Sequence, residues 1–176
     1  MNLRSAWSDA RAVLRARFYL RHATVLGKRV RVWGRPAIGV WGRLVVGDRV
    51  MLISTPVRTE LSVGGTLEIG ERTFINYGCS IGASELVRIG PRCSLGTHAI
   101  LMDNDFHTID PERRQQRPAS QPIVLEENVW LGARVIVLKG VTIGADSVIG
   151  AGSVVTRDIP PRSVAVGAPA RVVRSL

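Results

Sequence analysis

The spacing of aliphatic residues between Leu125 and Pro160 admits few folds. From Leu131 one returns at every sixth position, as Leu131, Val137, Ile143, Ile149 and Val155. A second register, four residues later, reads Val135, Val141, Ser147, Ser153 and Ile159. A helix repeats near 3.6 residues and a strand at 2, so neither alone produces six. A short strand, a tight turn and another short strand does, each unit laying one aliphatic side chain on a shared axis. Gly132, Gly144 and Gly150 follow the first register as corner residues, while Lys139, Asp146 and Arg157 fall where they can face water. Such a rung cannot bury its apolar face alone and must stack on its neighbours. The expected class is all-β, a parallel β-helix wound as a solenoid.

Carried backwards, the period assigns Ile75, Ile81, Ile89 and Leu95 to the first register and places Cys79 and Cys93 in the second. Both cysteines are expected as small buried side chains, neither disulfide-bonded nor nucleophilic. The hexads IGERTF, INYGCS, IGASEL, IGPRCS and LGTHAI leave Val87 and Arg88 over, an insertion expected to bulge at a corner. Upstream, residues 30–63 alternate more loosely, with Pro36 and Pro56 where ladder pairing is interrupted. The solenoid is therefore expected over 30–165, after a helix and linker at 1–29 and before a tail at 166–176. At 176 residues, 45% apolar and 5% aromatic, the composition suits one domain with an aliphatic core.

Of the net charge of +10, most is N-terminal: nine Lys or Arg residues up to Arg35 against the single Asp9. Leu3, Trp7, Ala10, Leu14 and Phe18 recur at spacings of three or four, which predicts an amphipathic helix with an arginine-rich opposite face. It can pack on the solenoid end, or residues 1–22 can touch anionic lipid. No nucleic-acid motif accompanies the charge, so specific nucleic-acid binding is not expected. The chain shows neither a run of about 18 apolar residues nor a secretory leader pattern. The expected location is cytoplasmic, at the inner membrane face if the helix meets lipid.

The period fails at about residues 102–123, where MDNDFHTIDPERRQQRPASQP is polar and holds three prolines beyond Asp110. A loop of this length inside a compact repeat points to function. Of His22, His98 and His107, only His107 lies in it, with Asp103, Asp105 and Asp110 within four residues. A carboxylate beside an imidazole fixes its tautomer and stabilises the imidazolium, as a general base requires. A solvated histidine in an acidic turn is the other reading of the same letters.

The run from Glu127 to Arg174 resembles the C-terminal half of the hexapeptide-repeat O-acetyltransferases, the group of galactoside, maltose and polysaccharide-type sugar O-acetyltransferases. The likeness covers about Leu67 to Leu176 and includes non-repeating segments: NVWLG, GAGSVVT, DIPP and VGAPARVVR. It implies left-handed winding, against the usual right-handed crossover, a homotrimer, and active sites between chains. Acetyl-CoA is the implied co-substrate, with no metal. His107 matches the family's general base, and its context DNDFH is similar to the polysaccharide-type members. By the same likeness the Ala133 amide meets the oxyanion, Ala151 and Gly152 let the pantetheine arm pass, and Trp130 lines the cleft near the thiol. Thr156, Arg157, Arg171 and Arg174 match positions near the adenosine and phosphates, and Asn76 matches an acceptor-binding asparagine. Ser84 stands where some relatives carry aspartate. The implied reaction moves acetyl to a hydroxyl of a sugar or glycan intermediate without a covalent acyl-enzyme. N-acetylation of an amino sugar and a non-catalytic scaffold for a membrane-associated glycan assembly complex are the alternatives. A zinc site on the same repeat would need three converging histidines, and the third here belongs to the basic helix.

Overall fold

The computed structural model describes residues 3–176, and side chains from residue 8 onward. One helix, α1 (Leu3–Tyr19), precedes a parallel solenoid of about seven turns. Its three faces are parallel sheets. Sheet A stacks β1 (Val25–Leu26), β4 (Arg43–Val46), β7 (Thr66–Ile69), β10 (Leu86–Ile89), β13 (Ile123–Leu125) and β16 (Thr142–Ile143). Sheet B stacks β2 (Arg31–Gly34), β5 (Met51–Ser54), β8 (Phe74–Ile75), β11 (Ser94–Leu95), β14 (Trp130–Leu131), β17 (Val148–Ile149) and β19 (Ser163–Gly167). Sheet C stacks β3 (Ala37–Val40), β6 (Glu60–Val63), β9 (Ser80–Ala83), β12 (Ile100–Met102), β15 (Ile136–Val137) and β18 (Val154–Val155). The chain turns at three edges, A–B, B–C and C–A.

Both six-residue registers point inward. Leu131, Val137, Ile143, Ile149 and Val155 are fully buried, and the second register lines the same core. Its polar members have a specific use. Thr73 Oγ1 donates to the Gly90 carbonyl, Ser147 Oγ to Pro160, Cys79 Sγ to Gly96 and Cys93 Sγ to Glu126. Each small side chain thus supplies one donor to the coil above, satisfying the Gly90, Glu126 and Pro160 carbonyls and adding a second donor at Gly96, which also accepts from Ala99 N–H. Burial pushes both thiols up to about 11.

The corners correct the simplest reading of the glycines. At the A–B edge the left-handed residues are Arg29, Arg49, Arg72, Arg92, Asn128, Asp146 and Arg162, with φ between 54° and 60°. That conformation costs a non-glycine residue about 1 kcal/mol, offset by coil-to-coil bonds such as Arg49 N–H to Lys28 and Arg72 N–H to Asp48. The glycines after the inward aliphatics instead make room. A Cβ on Gly132 would lie 2.6 Å from the Ala151 nitrogen, and one on Gly144 2.7 Å from the Pro161 Cα.

Four boundaries differ from expectation. Val87 is buried and in register with Leu67 and Ile123, so it does not bulge. The extra residues widen the C–A edge at 84–85, as Trp41–Gly42 and Gly64–Gly65 do in the coils below. The solenoid starts at Val25, earlier than residue 30, and residues 30–63 form full coils with Pro36 and Pro56 at the B–C edge. The expected tail folds back instead as β20 (Ala170–Ser175), antiparallel to β19.

The helix also turns a different face inward. Ala12, Ala16 and Leu20 are buried, and the latter two join Val30 and Val32 in the core. Leu14 and Phe18 of the expected stripe are 64% and 62% exposed, Ala10 is exposed too, and the side chains of Leu3 and Trp7 lie outside the described residues. Small residues let the helix axis approach the flat end of the first coil, where the bulkier stripe would hold it off. Asp9 anchors the contact by pairing with Arg31 at 3.2 Å.

Gly144→Ala is expected to lower stability by about 1–3 kcal/mol through overpacking against Pro161, read from denaturant unfolding. Both cysteines should resist Ellman's reagent at pH 8 in the folded protein and react fully once it is denatured.

Candidate active site

The loop between β12 and β13 replaces what would be one C–A corner. In the coils below, that corner is held by the coil above: the Trp41 and Gly42 amides donate to the Val63 carbonyl, and those of Gly64 and Gly65 to Ala83. At the next corner no such carbonyl follows. The Asp103 carboxylate takes its place, accepting from Ser84 N–H at 2.8 Å, Glu85 N–H at 2.7 Å and Leu86 N–H at 2.9 Å. Asp103 is completely buried. Its expected role as a support for the histidine is therefore corrected: its oxygens are committed to three backbone amides.

Asp105 is engaged elsewhere as well, forming an ion pair with Lys139 on the C–A edge one coil up. Lys139 was expected simply to face water; its ammonium also reaches the Ala119 carbonyl and so ties both limbs of the loop to the stack. Asn104, nearly buried, crosses the base of the loop to the Pro118 carbonyl and Ser120 Oγ. Gln121 closes it with N–H to the Asp103 carbonyl and C=O to Gly140 N–H. Asp110 caps a short 3₁₀ turn at Pro111–Arg113 and pairs with Arg113, which holds its carboxyl below the usual range.

His107 stands exposed on this frame. Its Nδ1 lies 3.0 Å from the Arg114 carbonyl. A carbonyl can only accept, so Nδ1 carries a proton, and in the neutral imidazole the lone pair then lies on Nε2. Nε2 has no partner among the described residues. Phe106, immediately before, holds a φ of 62° that a bulky residue rarely adopts. His22 is exposed beyond the helix, and His98 sits at the B–C edge with its ring edge-on to Tyr77.

The residues expected to bind the cofactor fall in two groups. Ala133, Ala151 and Gly152 stack along the upper B–C edge, linked by Arg134 N–H to Thr97 and Gly152 N–H to Ala133. The Ala133 amide has no acceptor among the described residues. A Cβ on Gly152 would meet nothing within 4 Å, so the edge is open there. Beside it on sheet B the outward column runs Trp130, Val148, Val164 and Arg174, with Arg171 opposite Val166. Thr156 and Arg157 lie apart, on the C–A edge two coils above the loop. Asn76 is on the B–C edge, its Oδ1 accepting from Tyr77 N–H at 2.9 Å, which leaves its amide nitrogen to donate outward.

The site therefore comprises an open edge of small residues with a free amide, an aromatic and arginines beside it, and an imidazole with one nitrogen fixed, on a different edge. The parallel solenoid of six-residue rungs that carries it is the fold of the hexapeptide-repeat transferases. The family described as bacterial transferase hexapeptide (six repeats) matches residues 122–157. Galactoside O-acetyltransferase of Escherichia coli is 38% identical over 115 residues, 65% of this chain and 57% of that one. The hexapeptide-repeat acetyltransferase of Vibrio cholerae, solved with acetyl-CoA, superimposes with a TM-score of 0.72 at 30% identity over 93% of this chain and 77% of its own. Maltose O-acetyltransferase of Clostridium difficile gives 0.68 at 27% identity, over 99% and 89%. The chain belongs to the hexapeptide-repeat acetyltransferases. It spans a little over half the length of the curated relatives it matches.

Asn104 and Lys139 were missed from the sequence, where an asparagine beside aspartates and a corner lysine carry no distinctive spacing. Asp103→Ala should cost about 3 kcal/mol by stranding three buried donors, measured by chemical denaturation.

Proposed function

We propose that the protein transfers an acetyl group from acetyl-CoA to a hydroxyl of a sugar or glycan acceptor. The observation that carries this is the His107 imidazole, with Nδ1 tied to a carbonyl and Nε2 open, in a chain of this family. His107 Nε2 takes the acceptor proton as the oxygen attacks the thioester carbonyl, and returns it to the departing sulfur. The Ala133 amide donates to the oxyanion that forms. The open B–C edge at Ala151 and Gly152 admits the pantetheine arm, Trp130 flanks it, and Arg171 and Arg174 suit its phosphates by charge and fork geometry.

The same geometry favours a site built by two chains of a homotrimer. Sheet C separates the edge bearing Ala133 from the edge bearing His107, Thr156 and Arg157 by on the order of 10 Å, whereas reacting atoms must approach to about 3–3.5 Å. The loop tip also carries Ile109, 97% exposed, and Phe106, 44% exposed. A loop lying across a neighbouring chain would cover both.

His107→Ala is expected to reduce kcat about 100- to 10,000-fold with the KM for acetyl-CoA unchanged, in a thiol-release assay over a panel of sugars and nucleotide sugars. Full turnover by the variant would reject the mechanism. Ile109→Asp should shift the sedimentation profile from trimer toward monomer and lower activity in parallel.

A second reading concerns α1. Leu14 and Phe18 face away from the solenoid, and Arg21 sits 5.1 Å over the Phe18 ring. With the surrounding arginines this makes a surface suited to an anionic membrane. Among the described residues no helix is long and apolar enough to cross one. Co-sedimentation with phosphatidylglycerol vesicles is expected to be lost in a Leu14→Gln, Phe18→Gln variant. Undiminished binding would contradict it.

A further inference from the structure

The lower half of sheet C, beneath the loop, differs from the rest of the solenoid surface. In register, its outward positions are Ala37 and Gly39 on β3, Glu60 and Ser62 on β6, and Ser80 and Gly82 on β9. Glycine is unfavourable in a strand interior and marks a place where another group approaches the sheet. Two groups do so here. The Trp41 ring folds over Gly39, where a Cβ would lie 2.6 Å from Cη2, and Met102 Sδ lies over Gly82, 2.5 Å from where a Cβ would be. Between them runs a groove of about 490 Å³, roofed at its upper end by Phe106 and Arg117 of the His107 loop.

The floor and the far end of this groove have different chemistry. Glu60, Ser62 and Ser80 line it, and their side chains have no partner among the described residues. They can therefore exchange hydrogen bonds with ligand hydroxyls. Trp41 closes the lower end. It remains 78% exposed although one part of its ring lies against the sheet. The solenoid does not need an indole there: the coils above turn the same corner with Gly64–Gly65 and Ser84–Glu85. From the coil of Met102 to that of Trp41 is three ladder steps of about 4.8 Å, or roughly 14 Å. That is longer than a single pyranose ring.

We propose that this groove is a distal acceptor subsite. It holds sugar units beyond the one that is acetylated, with Glu60, Ser62 and Ser80 bonding their hydroxyls and Trp41 packing against the apolar C–H face of the last ring. The acceptor is then an oligosaccharide or glycan chain, not a free monosaccharide. This rests on the acetyltransferase reading for the position of the acetylated hydroxyl beside His107, but the groove itself does not.

Two measurements test it. With acetyl-CoA and a series from glucose and galactose to their di- and trisaccharides, the KM of the wild-type protein should fall as the acceptor lengthens. Trp41→Ala should raise the KM for the trisaccharide about 10-fold, the effect of one lost aromatic contact, leaving kcat and the monosaccharide KM unchanged. Trp41→Phe should restore most of the difference. Equal kinetics for wild type and Trp41→Ala on the trisaccharide, or an equal rise on the monosaccharide, would overturn the subsite. Binding to a glycan array of mono-, di- and trisaccharides, without acetyl-CoA, separates the two claims. If no sugar is acetylated, the acetyltransferase reading fails by itself. The subsite then stands if array binding favours longer glycans and is lost in Trp41→Ala, and falls if binding is absent or the same in both proteins.

Discussion

Each coil of this solenoid takes its hydrogen bonds from the coil above, and the structure depends on that dependence never being broken. Inward columns of Leu, Val and Ile supply the burial, and Thr73, Cys79, Cys93 and Ser147 satisfy corner carbonyls inside the core. Where residues 103–122 leave the stack, a coil corner is missing and three amides would be stranded. The buried carboxylate of Asp103 stands in for it. The loop that carries His107 can exist because a side chain has replaced a piece of backbone.

That substitution links stability to chemistry. Asp103, Asn104, the Lys139–Asp105 pair and Gln121 fasten both limbs of the loop to one edge. His107 then needs only a carbonyl, that of Arg114, to fix its tautomer. The small residues of the B–C edge have two uses at once. They let successive coils approach, as at Gly132, and they leave the open strip on which the proposed coenzyme groove depends.

The solenoid was legible from its period because each six residues repeat the same burial problem, and the loop was legible because the period stops there. His107 could be singled out as the one histidine inside that break. What the letters did not carry was direction. An aspartate four residues before a histidine reads as its partner, yet Asp103 faces back into the stack and Asp105 pairs with a lysine one coil up. Along α1 the larger apolar residues suggested one face, but alanines at 12 and 16 pack and Leu14 and Phe18 do not, since close approach to a flat coil end favours small side chains. Trp41 reads as one more aromatic in an irregular stretch until the register places it at the end of a groove.

The central claim is that one chain supplies the base and its neighbour the coenzyme edge, and mixing two disabled chains tests it most directly. His107→Ala keeps the edge; Ala151→Trp blocks the edge and keeps the base. Each alone should be inactive. Co-refolded in equal amounts, they should recover about a quarter of wild-type activity, because in a ring of three head-to-tail interfaces one in four pairs an intact base with an intact edge. No recovery above either parent would contradict the account and place the whole site within a single chain.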